Sequence, residues 1–335
     1  MYLFLLIFFV FVFFTFSQRK KIIQRRFDIH IINVCQFLLS ISIVLAHLSQ
    51  YLKTPWLRAF TTCGCWAVPI FFLISGYGLL YSMTQKKNYL KGFLYKRLGK
   101  VLMPFVISSL IYLLLFWSNG CDLHLRSFVL HDLSLFTLPY SWFVLSITCF
   151  YVIFYLSFWF FKNTATALSI VFLGVLVYEI HRWHSGCIPN TFFSGLCFPL
   201  GMVLYRYEQH FERIVCRSNR IVLVIAVIIC SMVALGTYSS FGKIYAALMF
   251  YLLVRITPGN NSVLSFAYHS IEKLKLNLIS YEVYLTQGIA FLALRSNYIY
   301  ISSTLTYTIA CVILTMVISG GVYFIKVHIN KFLRI

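Results

Sequence analysis

Long apolar stretches recur at regular intervals along this chain, from residue 1 to residue 325, and short polar connectors separate them. A helix of about 20 apolar residues is long enough to cross the hydrocarbon core of a bilayer. Of the 335 residues, 61% are hydrophobic and only 11% are charged, whereas about 25% are charged in a soluble domain. The pattern therefore excludes an ordinary globular core and predicts a polytopic membrane protein.

The predicted fold class is an all-α membrane helix bundle with ten core spans. We place these spans at residues 31–52, 61–83, 101–118, 141–161, 164–180, 189–205, 221–240, 242–256, 278–296 and 303–325. The apolar residues 1–17 are followed at once by RKKIIQRR, and a secretory signal has the opposite charge order. We therefore expect an N-terminal anchor and basic segment in residues 1–30, a membrane domain in residues 31–325 and a tail in residues 326–335. A cleaved or interfacial segment is the alternative for residues 1–17.

The net charge of +20 follows the positive-inside rule. Most of the 28 Lys and Arg fall on one side when the spans alternate, including five in residues 19–26 and six in residues 86–100. We assign this side to the cytoplasm, so the C-terminus is expected there, in a multi-pass protein of a bacterial plasma membrane. A nucleic-acid partner is not expected, because it would require a basic face on a water-soluble fold.

The sequence predicts neither a metal site nor a second soluble domain. The ten cysteines are scattered singly, without a CxxC pair or a histidine spacing suited to zinc. The chain shows no internal repeat and no long soluble segment. Catalysis or transport must therefore use the helix bundle itself.

One polar stripe runs along the first core helix. Asn33, Gln36, Ser40 and His47 are separated by three, four and seven positions, which places them within an arc of roughly 60° at about 100° per residue, and Tyr51 continues the line. An ionisable residue inside a span is costly and usually faces the bundle interior or a wet cavity, so His47 is a candidate functional residue. The alternative is a histidine that hydrogen-bonds a neighbouring helix as a packing contact.

A basic amphipathic run follows the second core span. In NYLKGFLYKRLGKVLMP, Lys100 is four positions after Lys96 and three after Arg97, so a helix would present these residues together at the cytoplasmic face. They are predicted either to clamp the phosphates of a soluble donor or only to satisfy the positive-inside rule and contact anionic lipid. Upstream, Ser75 lies among glycines in FFLISGYG, where close helix packing is the simpler interpretation.

A second polar stripe lies in the ninth predicted span. Its members recur with helical periodicity and are Asn277, Ser280, Tyr281, Tyr284, Gln287 and Gly288. Glu282 points away from this face, and we expect it to reach the cytoplasmic interface or to pair with a basic residue.

Five segments, in order, resemble the acyltransferase 3 family of integral membrane acyltransferases. They are residues 36–47, FFLISGYG at 71–78, FLYKRLGKVLMP at 93–104, SWFVLSITCFY at 141–151 and ISYEVYLTQ at 279–287. In that family the first core helix carries an arginine or lysine, ten residues, and then a histidine. Each segment alone is weakly specific, but their order and spacing make the resemblance fairly specific, and it covers most of residues 31–325.

The chain departs from the family pattern at four positions. Gln36 replaces the basic residue, Asn33 replaces a frequent acidic residue, Gln287 stands where a histidine often follows YL, and Lys100 replaces the second arginine of a pair. These changes indicate either an adapted subfamily or an inactive copy.

The resemblance implies transfer of an acetyl or other short acyl group from acyl-CoA to a hydroxyl of a surface polysaccharide or lipid-linked sugar. It implies that His47 is the general base, since histidine, with an ordinary pKa of about 6.5, exchanges a proton near neutral pH. It implies that Arg97, Lys100 and Lys96 bind the donor. The residues expected to bind the acceptor or line a channel are Asn33, Gln36, Ser40, Ser75, Trp142, Tyr281, Tyr284 and Gln287.

Two other classes of protein share parts of this pattern. A transporter or flippase for a lipid-linked sugar would have similar polar stripes but would not need a histidine beside a thioester. A polysaccharide polymerase would be expected to have a larger outer loop with several basic residues, whereas the longest predicted outer loop has only Arg126. Both remain alternatives to the transferase.

Overall fold

The computed structural model describes residues 29–119, 141–186, 193–210, 213, 240–256 and 269–333. Three sequence predictions lie outside the described residues. They are the N-terminal anchor with its basic segment, the outer loop of residues 120–140 and nearly all of the span at residues 221–240.

The described chain is built of α-helices, which we number in chain order. They are α1 (Ile29–Leu52), α2 (Cys63–Gln85), α3 (Phe93–Ser118), α4 (Trp142–Phe160), α5 (Thr164–His184), α6 (Cys197–Arg206), α7 (Ser240–Ile256), α8 (Ser280–Ala293) and α9 (Thr304–Leu333). Short 3₁₀ turns at Pro55–Phe60, Ser194–Leu196 and Leu276–Leu278 precede α2, α6 and α8. The all-α prediction is thereby confirmed for the described residues.

Six segments among the described residues are long and apolar enough to cross a membrane. They are Ile31–Leu52, Pro55–Gln85, Phe93–Ser118, Trp142–Phe160, Thr164–His184 and Thr304–Phe332. Three further predicted spans correspond to the shorter helices α6, α7 and α8, of 10, 17 and 14 residues. A helix of 14 residues rises only about 21 Å at 1.5 Å per residue, less than the roughly 30 Å of the hydrocarbon core. The count of ten core spans therefore stays a prediction.

The last helix is longer than the sequence pattern indicates. The predicted span ends at residue 325, yet α9 continues to Leu333 without a break. The basic residues of the predicted tail extend this helix, and Lys326 forms an ion pair with Glu282 of α8. The expectation that Glu282 pairs with a basic residue is thus confirmed.

The chain divides into two compact units. The first unit holds the described residues within Met1–Gln36, Cys65–Lys87 and Phe161–Leu274, and the second holds those within Phe37–Gly64, Asn88–Phe160 and Lys275–Ile335. The first unit therefore holds most of α2 with α5, α6 and α7, and the second holds most of α1 with α3, α4, α8 and α9.

Close backbone contact and buried charge pairs hold the first unit together. A Cβ atom on Gly76 of α2 would meet the backbone carbonyl of Phe198 of α6, so glycine lets these two helices touch. Glu179 is fully buried, and its carboxylate accepts the backbone N–H groups of Phe193 and Gly195 at 2.8 and 2.9 Å. This carboxylate thereby fixes the turn that leads into α6.

In the second unit, α8 packs against α3 and α9. Nearly every residue of α8 is buried, including the polar residues Glu282, Thr286 and Gln287. Thr286 hydrogen-bonds to Ser319 of α9 at 2.8 Å, and Lys326 pairs with Glu282. The polar side chains of α8 are therefore bonded to its neighbours, which is how a helix with polar residues is accommodated in a buried position.

Candidate functional site

The centre of the candidate site is a hydrogen bond between two helices of the second unit. Nδ1 of His47, on α1, lies 2.9 Å from Oε1 of Gln287, on α8. Gln287 is fully buried, and its Nε2 donates to the backbone carbonyl of Tyr284 at 2.9 Å. The structure thus brings together residues of two predicted polar stripes that are 240 positions apart in the sequence.

The amide of Gln287 determines which nitrogen of His47 carries the proton. Because the Gln287 NH₂ group is directed to the Tyr284 carbonyl, its oxygen faces His47 and can only accept a hydrogen bond. Nδ1 of His47 must then be the donor, so in the neutral ring the lone pair is on Nε2. A general base requires such a lone pair, with a neighbouring group that fixes the ring's orientation.

The polar face of α8 continues from Gln287 toward the start of the helix. The hydroxyl of Tyr281 donates to the carbonyl of Val101 on α3 at 3.0 Å. Pro104, inside the same helix, has no N–H to donate to the carbonyl of Lys100, the residue before Val101. Tyr284, between Tyr281 and Gln287 in the sequence, packs edge-to-face on Phe143 of α4 with ring centroids 5.5 Å apart.

The predicted donor-binding residues lie in the first turns of α3. Lys96 and Lys100 are exposed and Arg97 is half-buried. Arg97 Nη2 donates to the hydroxyl of Tyr89 at 2.8 Å, which fixes the direction of its guanidinium. A helix begins here because Gly92, with φ of 71°, supplies the left-handed turn before Phe93. The basic residues therefore share the start of one helix, as the spacing predicts.

Helix α8 connects these basic residues with His47. Tyr281 bonds to Val101, the residue that follows Lys100, and Gln287 bonds to His47. Gln287 is six positions after Tyr281, a rise of about 9 Å and a separation of about 120° around the helix. The polar stripe of α8 thus leads from the turn of α3 that holds Lys100 to the predicted base, entirely within the second unit.

The other predicted site residues are distributed as follows. Ser40 is buried, and its hydroxyl bonds to the carbonyl of Phe37 in its own helix at 2.7 Å, so packing accounts for it. Trp142 begins α4 beside Phe143. Asn33, Gln36 and Ser75 belong to the first unit, and all three are half-buried. The structure therefore brings together His47, Gln287 and the tyrosines of α8, and assigns Asn33, Gln36 and Ser75 to a different unit.

Gly288, a member of the second polar stripe, has a packing role. A Cβ atom at this position would meet the hydroxyl of Tyr112 on α3. Glycine therefore allows the buried Tyr112 ring to lie against α8.

Sequence reasoning missed an arginine beside this site. The sequence pattern assigns no site role to Arg295, yet its guanidinium lies against the rings of Tyr51, Tyr300 and Tyr307. No local spacing signals this cluster, because its members come from α1, α9 and the segment between α8 and α9. The one available signal was Tyr51, which continues the polar stripe of His47.

The described residues contain no cluster of three or more His, Cys, Asp or Glu side chains suited to holding a metal ion. The functional groups that the second unit does offer are an oriented imidazole, hydroxyls of tyrosine and a basic cluster.

Comparison with known proteins identifies a family for this chain. A family model described as an acyltransferase domain matches residues 29–324. That range is nearly the whole chain and contains all of the predicted site residues. No curated protein and no solved structure matches the chain.

Proposed function

Because this chain belongs to the acyltransferase 3 family, we propose that it transfers an acetyl or other short acyl group from cytosolic acyl-CoA to a hydroxyl of a surface polysaccharide or lipid-linked sugar. Membership of the family implies acyltransferase activity in a membrane. The donor, the acceptor and the residues assigned to each are the proposal. The proposed orientation of the protein is taken from the charge pattern. It puts the C-terminus and the start of α3 on the cytosolic side of the plasma membrane.

One observation carries the proposal, the hydrogen bond between Gln287 and His47. It supports a base role, because it selects the tautomer in which Nε2 has the lone pair. A histidine that only joined the two helices through this bond would have the same tautomer, so the replacement of His47 described below is what separates the two roles.

In the proposed reaction, His47 Nε2 takes the proton of the acceptor hydroxyl as that oxygen attacks the thioester carbonyl. The carbon–sulfur bond then breaks, and the leaving thiolate receives the proton from the imidazolium. The products are the acylated sugar and free CoA, and the histidine returns to its starting state. Gln287 acts as a positioning residue, since its carbonyl oxygen also accepts from the imidazolium at Nδ1.

The donor is proposed to bind at the start of α3. Arg97, Lys100 and Lys96 offer three cations for the phosphates of acyl-CoA. The acyl group is attached to these phosphates through a long flexible arm. The face of α8 from Tyr281 to Gln287 is the proposed path of that arm toward His47.

Replacement of His47 by glutamine tests this function. The amide retains hydrogen bonding but cannot exchange a proton near neutral pH, and general-base catalysis contributes on the order of 10²- to 10⁴-fold. We expect a loss of this size in acyl transfer, measured with radiolabelled acetyl-CoA in membrane vesicles and by mass spectrometry of surface polysaccharide.

His328→Gln is the matched control, because His328 is exposed near the end of α9 in the same unit. It should retain normal acylation at the same protein abundance. Near-normal acylation by the His47→Gln protein would refute the proposed base.

A further inference from the structure

Arg295 lies just after the end of α8, with its guanidinium among three tyrosine rings. Its guanidinium carbon is 4.2 Å from the ring centroid of Tyr307, 5.6 Å from that of Tyr51 and 5.7 Å from that of Tyr300. Tyr307 is fully buried, whereas Tyr51 and Tyr300 are 58% and 71% exposed. The cation is thus backed by one buried ring and bordered by two that solvent reaches, an arrangement that cation–π attraction favours.

The charge of Arg295 is not balanced within the described part of the second unit. The only carboxylate there is that of Glu282, and it pairs with Lys326. Arg295 Nε donates weakly to the carbonyl of Ile301 at 3.4 Å. A half-buried guanidinium offers five N–H donors in a planar fork. These donors match the oxygens of a carboxylate or a phosphate in geometry and in charge.

The segment that carries Arg295 is held in place by the end of α3. Asn297 makes two hydrogen bonds with Asn119, both of 3.1 Å, and the hydroxyl of Tyr298 donates to the carbonyl of Ser118 at 2.9 Å. A binding group on such a tethered segment loses little conformational freedom when a ligand arrives.

This cluster borders the proposed base. Tyr51 is four residues beyond His47 on the same face of α1, a rise of about 6 Å. Charge counting assigns this end of the helix to the outer side of the membrane, where a surface glycan would approach. The exposed tyrosine rings combine an apolar face with a polar hydroxyl, which suits the apolar and hydroxylated faces of a sugar.

We propose that Arg295, with Tyr51 and Tyr300, forms the acceptor subsite and binds an oxyanion attached to the glycan. This inference rests on the proposed function and adds the acceptor's chemical class, an anionic sugar. The oxyanion is a carboxylate of an acidic sugar or a phosphate that links a sugar to lipid. In either case it would orient the neighbouring hydroxyl toward His47.

The test uses the full chain in nanodiscs of zwitterionic phosphatidylcholine. Three variants are compared with the parent: Arg295→Gln, Arg295→Lys and Arg58→Gln, the last removing an exposed cation of the same unit that lies outside the cluster. The probes are an oligosaccharide containing glucuronic acid, its neutral methyl ester and a polyprenyl diphosphate sugar. Binding is measured without acyl donor by isothermal titration, and transfer is measured separately.

We expect Arg295→Gln to weaken binding of at least one anionic probe by roughly 10- to 100-fold, the loss of one or two charge-assisted hydrogen bonds. Binding of the methyl ester should be unchanged. Arg295→Lys should recover part of the affinity, and Arg58→Gln should behave like the parent. Which anionic probe loses affinity identifies the carboxylate or the phosphate as the bound group.

Equal losses for anionic and neutral sugars would overturn the proposal and make Arg295 a structural residue. So would a defect that appears only when phosphatidylglycerol replaces phosphatidylcholine, since the ligand would then be a lipid headgroup. Because binding is measured without acyl donor, the predicted subsite can be confirmed even if the His47→Gln protein retains transfer and thereby refutes the proposed base. Failure of the subsite and failure of the proposed function are therefore distinguishable.

Discussion

A single amide, that of Gln287, organises the candidate base. Its oxygen faces His47 and its nitrogen is directed to the carbonyl of Tyr284. In the family pattern a histidine often stands at this position. A glutamine performs the orienting part of that role without a second titrating group, because its donor and acceptor ends are fixed in kind.

Gln287→Met should therefore lower kcat with little change in KM for either substrate. Methionine has a similar shape but offers no strong acceptor, so His47 loses the bond that selects its tautomer. The expected decrease is roughly tenfold, corresponding to a net hydrogen bond of about 1.4 kcal/mol. Nitrogen-15 NMR of His47 should show the Nδ1–H tautomer in the parent and a mixture in the variant.

Gln287→Glu is the matched control, since it keeps an oxygen acceptor toward Nδ1. It should retain a larger fraction of kcat than the methionine variant. If both variants lose activity equally while KM rises, Gln287 supports packing and does not position the base.

At this scale the sequence predicted the two polar faces but not their pairing. Helical spacing is a local property, so the stripe of His47 and the stripe of Gln287 could each be recognised alone. Their contact joins positions 240 residues apart and depends on how α1 and α8 pack. The cluster around Arg295 escaped prediction for the same reason.

At the scale of an element, α8 shows that the periodicity of polar residues predicts a helix but not where the helix ends or what it contacts. The spacing of its polar residues correctly predicted a helix, but the predicted span of residues 278–296 is an α-helix only over Ser280–Ala293. Just beyond its C-terminal end, Arg295 and Asn297 contact distant tyrosines and Asn119. Such partners are invisible in a local window.

Helix contacts through glycine give a prediction at this scale. In Gly76→Ala, the added Cβ would collide with the backbone carbonyl of Phe198, which can move only if α2 and α6 separate. Overpacking of this kind costs about 1–3 kcal/mol. We expect a lower thermal unfolding midpoint for the purified protein in detergent.

Gly78→Ala is the control, because a Cβ atom there would meet nothing within 4 Å. Alanine favours a helix over glycine by about 1 kcal/mol, so this variant should be neutral or slightly more stable. Equal midpoints for the two variants would show that α2 and α6 do not depend on contact at Gly76.

For the whole molecule, some Lys and Arg set the orientation in the membrane and others are buried in the fold. The sequence does not separate these two groups. Counting Lys and Arg by position assigns them to one side of a membrane, as though all of them lay in loops. The structure instead buries Arg182, Lys243 and Arg255 inside the first unit, where Arg182 lies 3.9 Å from Glu179 and Arg255 pairs with Glu208. Cations buried in this way do not lie in loops, whereas the basic residues at the ends of helices can set the orientation of the chain or bind a ligand.

The basic residues at the start of α3 allow these two uses to be separated. If Arg97 and Lys100 bind the phosphates of acyl-CoA, replacing both by glutamine should raise KM for the donor about tenfold or more, since each charge-assisted contact contributes on the order of 1.5–3 kcal/mol. Lys86→Gln with Lys87→Gln removes the same charge from two exposed positions before α3. Donor kinetics in inverted vesicles and the sidedness of a C-terminal tag are measured in one preparation of each double variant. The Arg97 and Lys100 double variant should show a raised donor KM with a cytoplasmic tag. The Lys86 and Lys87 double variant should show a normal donor KM with the same topology, because the remaining inner cations still orient the chain. An unchanged donor KM in the Arg97 and Lys100 variant would remove this pair from the donor site and leave it only the positive-inside role.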